Sequence, residues 1–249
     1  MPSITPIPAL TDNYIWLVAS KYNAVVVDPA DAAPVLRVLQ EKNLHLQQIW
    51  ITHEHQDHIA GIAELKQHFP DVVVYGASNI ELVDKVLGEG GHFIWQNNVI
   101  EVWKTTGHTE HHLSYLLNIS GCLNVFCGDT LFSAGCGRAF TQRPEWLFAS
   151  LQRFNTLPEN TLFYPAHEYT ESNLHFAKKV EPQNEFIQAA INTLSIPSLP
   201  TTLLRERQIN PFLRTDKFAV RQAAENFSGS TLVDEEAVFV ALREWKNQG

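Results

Sequence analysis

The sequence predicts an α+β protein, with a first domain of mixed strands and helices and a small helical second domain. Up to about residue 168, short runs rich in Val, Ile, Leu and Tyr alternate with segments of helical periodicity. Beyond that point the apolar residues recur at helical spacing, and Pro197 and Pro200 interrupt the connections. The chain has 249 residues, of which 45% are hydrophobic and 18% charged, a composition typical of a globular protein with a sizeable core. We therefore predict domains at residues 1–168 and 169–249.

Strand-like runs open the first domain and then alternate with helices. SITPIPA and NYIWLVAS are predicted strands, and NAVVV is a third strand that leads to Asp28. The helix PVLRVLQEKN follows, then the strand LQQIWIT, the helix GIAELKQHF and the strands DVVVYGA and VIEVWKT. LLNI and LNVFCGD form a predicted hairpin, EWLFASLQRFNTL an amphipathic helix, and TLFYPAHEYT a last strand that ends in a histidine.

The second domain contains four predicted helices and no predicted strand after Tyr164. The helices are ESNLHFAKKV, EFIQAAINTL, KFAVRQAAENF and EEAVFVALREWKNQ.

Charge and cysteine content narrow the class of protein. A formal net charge of −9 disfavours a nucleic-acid binder, because such binding depends on neutralising phosphates. The start MPSITPIPAL resembles no signal peptide, and no apolar run approaches the roughly 20 residues of a membrane span. Three cysteines without C-x-x-C spacing indicate reduced thiols. We expect a cytoplasmic protein, monomeric, with neither a membrane nor a nucleic acid as partner.

Four clusters of metal-binding residue types each follow a predicted strand directly. The first is THEHQDH at residues 52–58, and the others are His108, Asp129 and His167. A lone histidine at a strand end is usually structural, and Asp129 alone could cap a turn. Together they indicate a site, because strand ends hold loop residues in place and distant loops can converge at one edge of a sheet.

The spacing within THEHQDH indicates metal binding. Residues i and i+2 of an extended segment point the same way, so His53 and His55 can bind one ion. Asp57 and His58 point away from that pair and suit a second ion. Imidazole and carboxylate suit Zn(II), Fe(II) or Mn(II), and the lack of a cysteine favours a catalytic site over a structural zinc site.

At these residues the chain resembles the metallo-β-lactamase superfamily, whose T-H-x-H-x-D-H motif THEHQDH fits. TDNY at 11–14, GDTLFSAGCGR at 128–138, AHEYT at 166–170 and NPFLR at 210–214 further resemble the glyoxalase II (hydroxyacylglutathione hydrolase) family, and the resemblance covers essentially the whole chain. It implies an αββα sandwich with the metals at one edge, followed by a helical domain that binds glutathione. It also implies hydrolysis of S-D-lactoylglutathione to D-lactate and glutathione, the thioesterase step of methylglyoxal degradation.

The resemblance also implies the residues of the site. His53, His55 and His108 would hold one ion, and Asp57, His58 and His167 would hold the second. The expected metal is zinc, with iron or manganese as alternatives. Asp129 would bridge both ions, and Asp57 would orient the metal-bound hydroxide that attacks the thioester. The family's glutathione contacts fall on these four residues: Arg138, Tyr169, Arg243 and Lys246.

The chain departs from the family's pattern at two places, one near the expected metal ligands and one near the expected glutathione contacts. GHTEHH replaces the usual G-H-T-x-G-H, which puts His111 in the glycine position and brings His112 close to the metals. We expect both extra histidines to lie outside the ligand set. Phe140 stands where some members carry a tyrosine that contacts glutathione, so one hydrogen bond to the thiol carrier is expected to be missing.

Three other classes of protein share the motif. A β-lactamase, lactonase or persulfide dioxygenase would use the same fold, but the full set of seven ligands argues for two metals. An RNA-processing nuclease would need a basic surface, which the acidic balance disfavours. A non-enzymatic scaffold would be expected to have lost ligands, and none is missing. Nucleophilic catalysis by Cys136 is disfavoured because the histidines are committed to metals.

Overall fold

The computed structural model describes residues 1–248 and divides into two compact units. The first, here the sheet unit, consists of Met1–Thr105, His111–Gly128 and Tyr164–His167. The second, here the helical unit, consists of Thr106–Glu110, Asp129–Phe163 and the chain from Glu168 onward. The predicted domain boundary at residue 168 stays a prediction. Across residues 1–248 no helix is both long and apolar enough to cross a membrane, and the three cysteines form no disulfide bond.

Fourteen strands lie within residues 1–248. They are β1 Ser3–Ala9, β2 Asn13–Ser20, β3 Asn23–Val27, β4 His45–Trp50, β5 Val73–Gly76, β6 Lys85–Val86, β7 His92–Trp95, β8 Asn98–Lys104, β9 Leu113–Ile119, β10 Cys122–Gly128, β11 Leu131–Phe132, β12 Gly135–Cys136, β13 Leu162–Pro165 and β14 Thr201–Thr202.

Nine α-helices and one 3₁₀ turn lie within the same residues. The helices are α1 Ala32–Glu41, α2 Gln56–Ile59, α3 Ile62–His68, α4 Pro144–Asn155, α5 Thr170–Val180, α6 Glu185–Asn192, α7 Leu203–Ile209, α8 Phe218–Ser228 and α9 Glu235–Asn247, and the 3₁₀ turn is Pro211–Leu213.

The first sheet runs in the order β1-β2-β3-β4-β5-β6. Its first three strands are antiparallel, with Ile7 opposite Ile15 and Trp16 opposite Val27. From β3 to β6 the pairing is parallel. Parallel strands covered on both faces read as unbroken apolar runs, and four of the five residues of NAVVV are accordingly buried. Because parallel strands end at the same edge, β3 and β4 deliver their following loops side by side.

A second, antiparallel sheet packs against the first to form the core of the sheet unit. Within this unit its order is β10-β9-β8-β7, and the second half of β13 lies beside β10. Trp50 of the first sheet meets the rings of Phe93, Tyr115 and Phe126 of the second at 5.4, 5.7 and 5.7 Å. The buried Tyr115 hydroxyl donates to the Ile51 carbonyl at 2.6 Å, which fixes the chain immediately before THEHQDH.

Helices α1 and α3 cover the first sheet. Asp31 caps α1 through a hydrogen bond from the Ala33 amide. Val35 and Leu39 of α1 join Ile62 and Leu65 of α3 in one buried apolar cluster with the sheet. The predicted helices PVLRVLQEKN and GIAELKQHF are confirmed, while α2 is a single turn inside the predicted metal motif.

The helical unit contains several short elements that the sequence did not indicate, among them β14 and α7. The prediction of no strand after Tyr164 is wrong, because Thr201 and Thr202 pair with the first half of β13. Helix α7 was not predicted because its charged sequence LLRERQI lacks an apolar stripe. The fully buried Glu206 of α7 accepts hydrogen bonds from the Ser133 and Thr201 hydroxyls and from the Ala134 amide. Burial raises the pKa of Glu206, against the effect of these donors.

Candidate metal centre

Three of the predicted ligands converge within the sheet unit. Asp57 and His58 lie on α2, just after β4, and His167 lies two residues beyond the end of β13. One ligand atom from each of the three lies within 4.8 Å of the others. The Asp57 carboxylate is 3.6 Å from His58 Nε2 and 3.4 Å from His167 Nε2.

These separations fit a shared metal ion. Zinc bonds of about 2.0–2.2 Å, meeting at angles near 90–110°, place two ligand atoms roughly 2.8–3.6 Å apart. Both distances from Asp57 fall in that range, and imidazole nitrogens with a carboxylate are ligands that zinc, iron and manganese all accept.

Carboxylates fix the orientation of both imidazoles. His58 Nδ1 donates to Asp28 at 3.0 Å, and His167 Nδ1 donates to Asp12 at 2.8 Å. An ionised carboxylate only accepts hydrogen bonds, so Nδ1 carries the proton in each ring and Nε2 is the basic nitrogen that faces Asp57. Partners of this kind typically hold metal-ligating histidines in place. Neither Asp12 nor Asp28 was predicted as part of the site.

One ring nitrogen of His53 lies close to one ring nitrogen of His55. His53 Nε2 lies 3.0 Å from His55 Nδ1, which is also within the range for two ligands of one ion. The Thr52 hydroxyl donates to Asp28 at 2.7 Å and therefore accepts from His53 Nδ1 at 3.0 Å. This arrangement leaves Nε2 of the buried His53 as its basic nitrogen.

Asp57 is ionised in this setting. When the His167 ring also carries a proton on Nε2, its hydrogen bond is the largest cause holding the pKa of Asp57 well below the ordinary range, and it outweighs burial, which raises the pKa. The charge of His58 and a hydrogen bond from the Asn13 amide, at 3.2 Å, act in the same direction as His167.

His112 lies fully buried behind His53. The two rings stack at 4.9 Å with 23° between their planes, and His112 Nδ1 lies 3.0 Å from the Thr105 hydroxyl. Gly128, with φ of +47°, makes room for this packing, since a Cβ there would lie 2.7 Å from His112 Nε2 and closer still to the Thr52 hydroxyl. His111, by contrast, is half-buried.

The remaining two predicted ligands, His108 and Asp129, belong to the helical unit and lie together there. His108 Nε2 is 3.5 Å from the Asp129 carboxylate. His108 Nδ1 donates to the Arg138 carbonyl at 2.9 Å, so Nε2 is again the basic nitrogen. The ring of Phe140, 61% exposed, meets the His108 ring edge-on at 5.2 Å.

The predicted glutathione contacts also lie in the helical unit. Arg138 is exposed and Tyr169 is 36% exposed, with its ring 5.1 Å from that of Phe132. Arg243 is only 4% exposed and its guanidinium lies 5.3 Å above the Phe212 ring.

Lys246 lies one turn after Arg243 on α9, half-buried over a ring. Its ammonium is 5.1 Å from the centre of the Phe176 ring. Burial is the largest cause that lowers the pKa of Lys246 to about 8, followed by the charge of Arg243. The other titratable groups acting on it are Cys136, Arg138 and Lys179. A cluster of cations of this kind suits an anionic ligand.

Two family models together account for nearly the whole chain. The model "Metallo-beta-lactamase superfamily" matches residues 10–167, and the model "Hydroxyacylglutathione hydrolase C-terminus" matches residues 168–249. The predicted fold class, an αββα metallo-β-lactamase sandwich with a C-terminal helical domain, is confirmed by these matches and by solved structures.

Curated relatives match over almost their full length. A hydroxyacylglutathione hydrolase of Neisseria meningitidis serogroup C (strain 053442) is 52% identical over 246 residues, covering 98% of each chain. A second, from Aeromonas salmonicida (strain A449), is 43% identical over 256 residues, covering 99% of each chain.

Solved structures share the fold at lower identity. The crystal structure of ETHE1 from Myxococcus xanthus matches with a TM-score of 0.68 and 25% identity, covering 98% of this chain and 90% of that one. The BLEG-1 B3 metallo-beta-lactamase matches with a TM-score of 0.64 and 21% identity, covering 86% of this chain and 99% of that one, and shows the fold alone. From the matched family models and the identity of its relatives, this chain belongs to the hydroxyacylglutathione hydrolase (glyoxalase II) family of the metallo-β-lactamase superfamily.

Proposed function

We propose that this protein is a thioester hydrolase that converts S-D-lactoylglutathione and water to D-lactate and glutathione with the help of two divalent metal ions. The observation that carries the proposal is the group Asp57, His58 and His167, whose ligand atoms meet at metal-ligand separations in a chain of this family. The acidic chain, with a formal net charge of −9, disfavours the nuclease alternative.

The proposed ligand set assigns each ion three unshared residues. His53, His55 and His108 hold one ion, Asp57, His58 and His167 hold the other, and Asp129 bridges them. The pairs His53–His55 and His108–Asp129, at 3.0 and 3.5 Å, support this assignment because each pair has the spacing of two ligands on one ion. Zinc is the proposed metal, and iron and manganese accept the same donors.

Bound ions of this kind lower the pKa of a water to about 7 and polarise the thioester carbonyl. The protein's own residues then orient the reactants. Asp57 accepts a hydrogen bond from the attacking water and directs the lone pair of that water at the thioester carbon. The C–O bond forms first, and collapse of the resulting tetrahedral carbon then breaks the C–S bond. The sulfur leaves as glutathione thiolate, and the protons of the water are released to solvent as the lactate carboxylate forms. A thiol with an ordinary pKa near 8.5 needs no dedicated general acid.

The cationic residues of the helical unit would bind the glutathione portion. Arg138, Arg243 and Lys246 suit its carboxylates, and Tyr169 offers a phenolic hydroxyl as a further hydrogen-bonding group. Such contacts, far from the reacting carbonyl, bind substrate and transition state alike and therefore act on KM. We further propose that the protein acts in the cytoplasm as a monomer on this small molecule.

The experiment is an assay of S-D-lactoylglutathione hydrolysis together with a metal analysis of the purified protein. We expect two ions per chain and loss of hydrolysis on chelation. Asp129→Ala should abolish turnover and lower the metal content, while its circular dichroism stays that of the wild type. Normal turnover by Asp129→Ala, or a wild-type protein that hydrolyses the thioester with one ion, would refute the dinuclear assignment.

A further inference from the structure

The loop Cys136–Arg138 is pressed against two of the proposed ligands. The Gly137 amide donates to the Thr130 carbonyl at 3.3 Å. A Cβ at Gly137 would lie on the Asp129 carbonyl oxygen and 3.0 Å from His108 Nδ1. The backbone at Gly137 therefore lies directly against both ligand residues, and we expect a shift of the loop to displace His108 and Asp129 as well.

Arg243 holds this loop from the C-terminal helix. Its Nη1 donates to the carbonyls of Cys136 and Gly137, at 2.9 and 3.2 Å, and lies 3.6 Å from the Cys136 sulfur. Its Nε donates to Asn247 at 3.2 Å, and Phe212 supports the guanidinium from below. These two hydrogen bonds hold the loop in place. Loss of the guanidinium would leave both carbonyls without this donor, which is costly at a buried position.

The clamped carbonyls immediately precede the one that orients His108. The Arg138 carbonyl accepts the His108 Nδ1 proton at 2.9 Å, and this hydrogen bond leaves Nε2 facing Asp129. A second hydrogen bond joins the segment after this loop to His108, in which the Phe140 amide donates to the His108 carbonyl at 3.2 Å. Arg243 is therefore linked to the His108 ring by two hydrogen bonds. The first joins Arg243 to the Gly137 carbonyl, and the second joins the neighbouring Arg138 carbonyl to His108 Nδ1.

We propose that Arg243 is a positioning residue for the metal ligand His108, acting through the loop Cys136–Arg138. This role rests on the proposed ligand set and is separate from any contact of Arg243 with glutathione. Among residues 1–248, Lys246 on the same helix makes no hydrogen bond to this loop. Replacing Lys246 and replacing Arg243 should therefore affect the metal centre differently. Loss of Lys246 should weaken substrate binding alone, whereas loss of Arg243 should weaken the metal centre too.

The test compares Arg243→Met with the matched control Lys246→Met, each in the full-length protein. Methionine keeps an apolar stem over Phe212 and removes the donors. Metal-free protein is titrated with Co²⁺ against a competing chelator, its absorption bands report the ligand geometry, and kcat and KM are measured after loading. We expect Arg243→Met to weaken Co²⁺ binding about 10–100-fold and to lower kcat. Lys246→Met should bind Co²⁺ as the wild type does and raise KM.

Three results would overturn the role of Arg243. One is wild-type Co²⁺ affinity in Arg243→Met with only KM raised, which would make Arg243 a substrate contact. Another is an equal loss in both variants, which would point to the charge of the helix and not to the loop. If Arg243→Met does not fold by circular dichroism, Arg243→Gln replaces it, because the glutamine amide is too short to reach both carbonyls. Wild-type Co²⁺ affinity in a folded Arg243→Gln is the third result. The wild-type titration alone tests the ligand set, so failure of the proposed function is distinguishable from failure of this inference.

Discussion

Asp28→Asn should damage the metal centre without touching a metal ligand. Asp28 is 4% exposed and accepts three hydrogen bonds. The Thr52 amide donates to Oδ1 at 2.8 Å, and the Thr52 hydroxyl and His58 Nδ1 donate to Oδ2 at 2.7 and 3.0 Å. An asparagine side chain has the same shape, but its amide nitrogen cannot accept a hydrogen bond.

The magnitude follows from the number of donors left without an acceptor. If the amide nitrogen takes the place of Oδ1, one buried donor, the Thr52 amide, is left without an acceptor. If it takes the place of Oδ2, two buried donors, the Thr52 hydroxyl and His58 Nδ1, are left without one. Each unsatisfied buried donor costs about 1–3 kcal/mol. The asparagine should adopt the orientation that leaves only one donor unsatisfied, so the free energy of unfolding should fall by about 1–3 kcal/mol. The backbone is not a confounding factor, since Asp28 has φ of +51° and asparagine tolerates that region as well as aspartate does. Metal affinity should fall about 10–100-fold because His58 exchanges a carboxylate partner for a neutral amide, which orients and polarises the imidazole less strongly.

The assay is urea unfolding of metal-free protein, followed by titration with Zn²⁺ against a chelator. Asp31→Asn is the matched control, three residues further along the chain. Asp31 caps α1 through its side-chain oxygen, and asparagine caps helices equally well, so that variant should behave as the wild type does. Wild-type stability and metal affinity in Asp28→Asn would refute the argument that this carboxylate orients His58.

Three further predictions concern the substrate contacts and the packing behind the site. Lys246 is charged below its pKa of about 8 and neutral above it, so the KM for the anionic thioester should rise as the pH increases through 8. Lys246→Met should lack this step in KM, and identical profiles for both proteins would contradict it. Phe140→Tyr should lower KM roughly 2–10-fold at unchanged kcat, the effect of one added hydrogen bond, and an unchanged KM would show that the exposed ring does not reach glutathione. Gly128→Ala should lose about 2–4 kcal/mol in thermal or urea unfolding, because its Cβ would overlap the groups around it, whereas Gly121→Ala, also at positive φ but in open space, should lose only about 1 kcal/mol. Equal losses in the two glycine variants would show that backbone strain alone is responsible.

Most of the longer strands and most helices could be predicted because their signals are local. Valine runs, alternation in SITPIPA and the apolar stripe of PVLRVLQEKN depend only on neighbours within a few positions. Helix α7 could not be predicted in this way. Its Glu206 is stable in the interior only because Ser133, Ala134 and Thr201 arrive from other segments with donors for it.

The sequence by itself determined which residue types were available for metal binding and the order in which they follow the strands. Chemistry of that kind resides in individual side chains and their spacing, and needs no knowledge of the chain's path. Only the tertiary structure decided which nitrogen of each imidazole is basic. The pairs Asp28–His58 and Asp12–His167 join positions far apart in the chain, at 3.0 and 2.8 Å. A hydrogen bond over such a separation depends on how the strands are ordered in the sheet, and no local periodicity encodes that order.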